Sequence, residues 1–250
     1  MALPKIEVPT YEMTLPSKDE RIGFRPFTVK EEKLFLMAQE SEEEGKQETI
    51  LNTIKQVVNN CLVTKINLED LPTFDLEYLF LNLRAKSIGE QVELSYNCNN
   101  TYVEEVEGKK EEVKCKNIVK FMVNLMEVKP KYGKNHELKI PIDENLGIMM
   151  KYPSVSIVSK HASKPEAEAL FEIIIDSIDY IYDKEEVYYS KDTTRKELEE
   201  FVETVPSDKL ENIKNFFETM PRIKHIQKFS CNKCGYEENL EIEGIENFFV

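Results

Sequence analysis

Four cysteines in two pairs form the clearest chemical pattern in the sequence. Cys231 and Cys234 belong to a Cys-Asn-Lys-Cys-Gly motif between two predicted strands. Two thiolates at this spacing can hold one Zn2+ while the intervening backbone amides turn toward sulfur, and the glycine adopts the conformation that the turn requires. A closed structural site needs four ligands, so this pair predicts two further ligands elsewhere in the chain.

Cys98 and Cys115 are the candidates for the two missing ligands. Cys98 ends one predicted strand and Cys115 precedes the next. If these strands pair as a hairpin, residues 99–114 fold outward and the two sulfurs meet. Four thiolates would then close the coordination sphere, which makes the metal structural and not catalytic. The pattern departs from an ordinary zinc ribbon, in which both ligand pairs are Cys-x-x-Cys.

Two other interpretations of these cysteines stay open. One is a metal-free turn with two exposed thiols. The other is a thioredoxin-like redox pair, which is disfavoured because the Cys-x-x-Cys motif does not open a predicted helix. The fifth cysteine, Cys61, lies on the apolar face of a predicted helix and is expected in the core. The start of the chain lacks the apolar core of a signal peptide, so we expect reduced or metal-bound cysteines and no disulfides.

Periodicity predicts helices on both sides of a stretch of strands. Thr28 and Glu31 have the spacing of a capping box, in which each side chain satisfies a free backbone N–H at the helix start. The stripe of this helix is predicted to be Leu34, Met37 and Ala38. Further helices are predicted from stripes and capping residues over Ile50–Cys61, Asp75–Gly89, Ser163–Ile181, Thr194–Val202 and Ser207–Met220.

Strict alternation of polar and apolar residues predicts strands between residues 90 and 153 and on both sides of Cys231. The expected fold class is α+β, with helical lobes flanking a small antiparallel β region that carries the cysteine site. The first segment is either an extended arm or an edge strand. We predict one integrated domain with an arm at 1–27, a helical lobe at 28–89, the β region at 90–153, a second helical lobe at 154–221 and C-terminal strands at 222–250.

Composition and motifs exclude several classes of function. The net charge of -14 argues against a surface for nucleic-acid phosphates, since such affinity depends on Lys and Arg. No apolar run approaches the roughly 18 residues of a membrane helix. The three histidines lie outside any His-Glu-x-x-His motif, and no glycine-rich phosphate-binding motif occurs. We therefore expect no enzyme activity, nucleic-acid partner, membrane span or small-molecule substrate.

One segment near the start of the first helix is a candidate partner-binding surface. It concentrates charge beside two aromatic residues, and its members are Phe24, Arg25, Phe27, Lys30 and Lys33. The alternative role of these residues is packing and capping at the helix start. If they form a contact surface, changing Arg25 and Lys33 to Glu should weaken partner binding and leave the fold intact. Aromatic groups at Tyr188–Ser190 and Phe248–Val250 have the same two interpretations, packing or contact.

Several motifs together resemble the baseplate hub family of T4-like tailed bacteriophages. They span nearly the whole chain and are specific in combination. They are the opening MALPK, the segment RPFTVKEEKLFLMAQES from Arg25 to Ser41, the helix Phe74 to Ser87, Met-Lys-Tyr-Pro-Ser from Met150 to Ser154, Phe-Phe-Glu-Thr-Met-Pro from Phe216 to Pro221, and the closing Glu243 to Phe249.

This resemblance implies a phage late protein that is needed to build the central hub of the tail baseplate. It implies either a permanent hub subunit or a factor that assists hub assembly and leaves. The expected partners are other baseplate hub proteins, in the host bacterial cytoplasm during assembly and, for a permanent subunit, in the virion tail. Two further hypotheses are a zinc-ribbon adaptor in phage transcription or replication and a cytoplasmic enzyme of unknown class.

Overall fold

A computed structural model of the chain describes residues 6–39, 46–106 and 109–244. The predicted aromatic group Phe248–Val250, the opening MALPK and most of the closing resemblance motif lie outside the described residues. The chain divides into two compact units, each assembled from separated stretches. Unit 1 comprises Met1–Lys65, Glu77–Pro130 and Ile223–Val250, and unit 2 comprises Ile66–Leu76 and Lys131–Arg222.

Unit 1 begins with an antiparallel hairpin of β1 (Tyr11–Thr14) and β2 (Arg21–Phe24), followed by helices α1 (Val29–Gln39) and α2 (Lys46–Cys61). One half of the predicted capping box is present, since the Thr28 backbone N–H donates to the Glu31 carboxylate at 2.9 Å. The predicted stripe of α1 is wrong at Met37, which is 58% exposed. The helix buries Ala38, as predicted, together with Glu31 and Phe35, and Glu31 forms an internal ion pair with Arg25.

Helix α3 (Thr73–Ser87) ends just before Gly89, the predicted stop, and strands follow. Strand β3 (Gln91–Asn97) pairs antiparallel with β6 (Ile118–Asn124), as predicted. The tip between them is itself a hairpin of β4 (Thr101–Val106) and β5 (Lys109–Lys114). Strands β7 (Lys129–Lys131), β12 (Arg222–Ser230) and β13 (Glu237–Glu243) form a sheet in the order β13-β12-β7. The core here joins Leu81 and Ala85 of α3 to buried residues of the sheets.

Unit 2 contains a four-stranded sheet in the order β11-β10-β9-β8 and four helices. Its strands are β8 (Lys139–Pro141), β9 (Gly147–Met150), β10 (Ile178–Tyr182) and β11 (Val187–Tyr189), and its helices are α4 (Val155–His161), α5 (Glu166–Asp176), α6 (Arg195–Thr204) and α7 (Ser207–Thr219). One face of the sheet packs with these helices around a core that includes Ile148, Ile174 and Phe216. None of the described helices is both long and apolar enough to cross a membrane.

Two sequence-based predictions in unit 2 are wrong. Ile178 and Ile181 lie in β10 and not in a helix, because α5 ends at Asp176 with Ser177 as its cap and the following Ile-Asp-Tyr-Ile-Tyr run favours a strand. The capping box from Ser163 is absent, because Pro165 occupies the cap position in an extended conformation and α5 begins one residue later. The box predicted at Thr194 is confirmed, with both of its hydrogen bonds present.

Two of the resemblance motifs meet inside unit 2. His136 stacks on Tyr152 of the Met-Lys-Tyr-Pro-Ser motif, with ring centroids 5.6 Å apart, and its Nε2 lies 3.0 Å from the Tyr152 hydroxyl. Its Nδ1 lies 3.0 Å from the hydroxyl of Thr219 in the Phe-Phe-Glu-Thr-Met-Pro motif. Gly133 is required beside this contact, because a Cβ there would come within 2.7 Å of the Thr219 Cα. These motifs therefore specify packing in unit 2.

Candidate metal centre

The sulfur atoms of Cys98, Cys115, Cys231 and Cys234 all lie within 4.8 Å of one another. Cys98 and Cys234 are separated by 3.7 Å between Sγ atoms, and Cys115 and Cys231 by 3.6 Å. A tetrahedron of sulfurs about 2.3 Å from a central metal has edges of roughly 3.8 Å, whereas a disulfide needs about 2.0 Å. The cluster therefore has the spacing of a four-coordinate metal site, as the sequence predicts.

The β3–β6 hairpin positions the first pair of cysteines. Cys98 follows β3 and its backbone N–H donates to the Asn117 carbonyl at 2.8 Å. Cys115 precedes β6 and its N–H donates to the Asn100 carbonyl at 2.9 Å. These hydrogen bonds close the base of the tip hairpin, so the two sulfurs face the same side although 16 residues separate the cysteines in sequence.

The turn between β12 and β13 positions the second pair. The Gly235 N–H donates to the Cys231 carbonyl at 2.9 Å, and the Cys231 N–H donates to the Tyr236 carbonyl at 2.8 Å. Gly235 has a φ of 72°, a left-handed conformation that glycine adopts without strain. This glycine therefore has the role that the sequence predicts for it.

Backbone amides point at all four sulfurs in the same pattern. Each sulfur accepts from the N–H two residues later, and the donors are Asn100, Asn117, Lys233 and Tyr236. Cys231 also accepts from the Cys234 N–H, and the Cys234 and Lys233 amides lower its pKa to about 6. Burial raises the pKa of Cys98 to about 12 in spite of its amide donor. The site is therefore built for thiolates, but burial opposes four negative charges unless a cation joins them.

Asn100 and Asn117 belong to the site and are missed by the sequence analysis. The Asn100 side-chain amide donates to Cys234 Sγ at 3.6 Å, and the Asn117 amide donates to Cys231 Sγ at 3.5 Å. Each asparagine follows one cysteine by two residues and contacts a cysteine of the other pair. The repeated Cys-x-Asn at 98–100 and 115–117 is the signal that could have revealed them.

An apolar shell surrounds three of the cysteines. Cys98, Cys115 and Cys231 are buried, and Cys234 is half-buried. They pack with Phe229, whose ring lies 4.9 Å from that of Tyr96, and with Tyr102, Val119 and Leu240. A shell of this kind limits access of water to the sulfurs. Among the described residues, this is the one group of three or more metal-ligating side chains close enough to share an ion.

The predicted partner-binding segment is divided by the fold. Phe24 is buried, and the Arg25 guanidinium lies 3.1 Å from the fully buried Glu31 carboxylate and donates to the Asn60 carbonyl. Burial would raise the pKa of Glu31, but hydrogen bonds from Arg25 and Thr28 outweigh it and bring the pKa to about 2. Phe24 and Arg25 therefore pack and pair inside unit 1. Changing Arg25 to Glu would bring a second carboxylate against the buried Glu31, so we now expect this change to destabilise unit 1.

The other three residues of that segment lie nearer the surface. Phe27 is half-buried and its ring lies 5.8 Å from that of Phe35. Lys30 and Lys33 are exposed on α1. The expected contact therefore has only these two lysines fully available to a partner.

None of the three histidines belongs to the cysteine cluster. His161 is buried in α4, and its Nε2 lies 2.8 Å from the Asp176 carboxylate. His136 is in the aromatic cluster described above, where burial lowers its pKa. Tyr188 and Tyr189, the aromatic pair noted in the sequence, are 43% and 46% exposed in β11.

A comparison with protein families assigns the chain to a known group. The family model described as T4 bacteriophage base plate protein matches residues 8–250. No curated protein and no solved structure matches the chain. The family match covers nearly all 250 residues and agrees with the resemblance in the sequence motifs. The chain therefore belongs to the T4 bacteriophage base plate protein family.

Proposed function

We propose that this protein is a non-enzymatic component of the baseplate hub of a T4-like contractile-tailed phage. The family match over residues 8–250 carries the proposal. The closed arrangement of four sulfurs supports it, because such a site leaves no position for a catalytic water. Its partners are other hub proteins, which it meets in the host cytoplasm during assembly.

Quantitative mass spectrometry on purified particles, beside lysate of the same infection, tests this role. A fixed small copy number per particle, with crosslinks to hub proteins, identifies a permanent subunit in the tail. Abundance in lysate with crosslinks to hub proteins, and absence from particles, identifies an assembly factor that leaves. Crosslinks to no hub protein in either sample would contradict the proposal, and salt-dependent retention on DNA would favour an adaptor in transcription or replication instead.

We propose further that the four cysteines hold one structural Zn2+. The donor set consists of four sulfurs within 4.8 Å of one another, and each accepts a backbone N–H that favours its thiolate form. Sulfur-only sites of this geometry are typical of zinc and of iron. The metal would join the β3–β6 hairpin to the β12–β13 turn and neutralise the charge that burial opposes.

Metal analysis of the purified protein tests the zinc assignment. We expect one zinc per chain in the wild type and none after Cys231→Ser combined with Cys234→Ser. The matched control is Cys61→Ala, which removes a buried thiol outside the cluster and should leave the zinc content unchanged. Stoichiometric iron in place of zinc, or a folded wild type with four titratable thiols and no metal, would overturn the assignment.

The partner contact that we propose near the start of α1 uses its exposed face, which comprises Val29, Lys30, Lys33, Leu36 and Met37. Val29, Leu36 and Met37 are 79%, 56% and 58% exposed and follow one another at helical spacing. Lys33→Glu should weaken binding to a hub protein without changing the unfolding temperature. The control is Lys55→Glu on α2, and equal binding by both variants would remove this surface from the proposal.

A further inference from the structure

The solvent-facing side of the unit 2 sheet carries an ordered set of aromatic side chains. The strand register aligns residues of the four strands in cross-strand rows, here called ranks, and two of these ranks lie on the solvent-facing side. One rank consists of Lys139, Met149, Tyr180 and Tyr189, and the next consists of Pro141, Gly147, Tyr182 and Val187. The intervening rank contains Ile140, Ile148 and Ile181, which point into the core. We call Tyr180, Tyr182 and Tyr189 with their two nearest lysines, Lys139 and Lys191, the tyrosine face.

The rings of the tyrosine face hold one another in place. The Tyr180 ring lies 5.5 Å from that of Tyr189 and 6.5 Å from that of Tyr182, both edge to face. Gly147 leaves the space beneath Tyr182, because a Cβ there would collide with the tyrosine ring. The rings therefore have little freedom to lose when a partner binds, which favours affinity.

Positive charge lies directly on this face. Lys139 Nζ is 4.3 Å from the centroid of the Tyr182 ring, and Lys191 Nζ is 5.2 Å from that of Tyr189. In the described parts of the chain, neither ammonium group has a carboxylate within ion-pair distance. A chain with a net charge of -14 therefore presents two unneutralised cations on its aromatic surface.

We propose that the tyrosine face is a docking surface for another baseplate protein, through a segment in which carboxylates alternate with apolar side chains. Apolar groups would pack on the rings, and carboxylates would pair with Lys139 and Lys191. Tyrosines are enriched where protein interfaces anchor, and Val187 and Tyr189 are still 47% and 46% exposed. A nucleic acid fits less well, because two lysines supply little phosphate affinity against the overall negative charge. The partner class follows from family membership, so the proposal holds for a hub subunit and for an assembly factor.

Binding of the full-length protein to the baseplate proteins of the same phage, each expressed singly, tests this surface. We expect one of them to bind and Tyr180→Ala with Tyr189→Ala to weaken it about 30-fold, the scale of an interface anchor. Lys139→Glu with Lys191→Glu should weaken it about 10-fold and reduce its dependence on salt. If the double tyrosine variant fails to fold, the double lysine variant still tests the proposal.

Matched controls separate this face from the rest of unit 2. Phe171→Ala removes an aromatic side chain that is 45% exposed on α5, and Lys196→Glu with Lys209→Glu reverses one exposed and one half-buried charge on helices. Both controls should bind as the wild type does. Wild-type affinity in the tyrosine and charge variants, or equal losses in the controls, would overturn the proposal. Tyrosine-dependent binding of a single-stranded oligonucleotide, with no protein partner, would replace it with a nucleic-acid surface.

Discussion

Unit 1 contains an ion pair between Arg25 and the buried Glu31 as well as the four-cysteine centre, and groups of the chain balance the charge only in the ion pair. The Glu31 carboxylate accepts hydrogen bonds from Arg25 and from the backbone N–H and hydroxyl of Thr28. Its charge is thereby stabilised, and its pKa falls to about 2 although the side chain is fully buried. Nothing further is needed to account for this site.

The four sulfurs differ from Glu31, because the hydrogen-bond donors around them stabilise only part of the negative charge of four thiolates. Amides lower the pKa values of Cys231 and Cys234, whereas burial keeps those of Cys98 and Cys115 raised. A cation would let all four become thiolates at once. The comparison teaches that a buried pair whose charges balance is typical of packing, whereas four close sulfurs whose charges do not balance are typical of a group that could hold a metal ion.

Breaking the cysteine centre should have the largest effect. We expect Cys231→Ser with Cys234→Ser, or removal of metal by a chelator, to destabilise unit 1 by several kcal/mol, because metal binding contributes directly to folding free energy. Thermal unfolding with and without chelator measures this. The Cys61→Ala control should lose only about 1–2 kcal/mol from its cavity and should respond to chelator as the wild type does. A wild type that unfolds identically with chelator would contradict a structural metal.

Breaking the completed pair should have the next largest effect. Arg25→Ala leaves the Glu31 carboxylate buried without its cation, and such changes cost about 3 kcal/mol. Urea unfolding measures the loss, and Arg21→Ala, an exposed arginine on β2, is the control with an expected change below about 0.5 kcal/mol. Replacing Glu31 by Gln in the Arg25→Ala background should recover part of the stability. Failure of that second change to recover any would show that lost packing, and not the unpaired charge, dominates.

The same pair should make stability depend on acid pH. The pKa of Glu31 is about 2 when folded and 4.5 as an ordinary value, so the unfolded chain binds the proton first as pH falls. The contribution is present above pH 4.5 and is lost progressively toward pH 2, and it is on the order of 3 kcal/mol. Unfolding free energies between pH 7 and pH 3 measure it. The Glu31→Gln variant should show a flatter profile over this range, and an unchanged slope would exclude Glu31 as the source.

Weakening the donors around the sulfurs should have the smallest effect. Asn117→Ala removes the side-chain amide that lies 3.5 Å from Cys231 Sγ, and loss of such a partner lowers metal affinity about 10- to 100-fold. Competition with a chromogenic chelator measures the affinity. Asn97→Ala, an exposed residue in β3, is the matched control and should bind metal as the wild type does. Equal affinities for all three proteins would remove Asn117 from the site.

Local sequence patterns predict most helices and the meeting of the four cysteines. The strands at β3 and β6 alternate strictly, so their hairpin and the positions of Cys98 and Cys115 at its base follow directly. The tip strands β4 and β5 were missed because charged residues dominate them and most of their described side chains are exposed. Strand β10 was missed because its isoleucines continue the helical spacing of α5 past Ser177.

Local sequence patterns do not predict features that depend on residues far apart in the chain. Glu31 looks like an ordinary capping residue, and only the position of Arg25 in the fold shows it to be a buried partner. The tyrosine face combines strands from separate parts of unit 2, and Tyr182 can lie flat there only because Gly147 is opposite. The two units likewise unite separated stretches, and no local pattern marks which stretches associate.

The two pairs of cysteines lie far apart in the sequence, so the ribosome synthesises them at different times. Cys115 and Cys231 are 116 positions apart, and nearly all of unit 2, Lys131–Arg222, is encoded between them. The ribosome must therefore finish that stretch before the second pair of ligands can reach the first. A prematurely terminated chain would carry Cys98 and Cys115 without their partners and could not close the centre. Metal loading would thus distinguish a finished molecule from an interrupted one before it enters a tail.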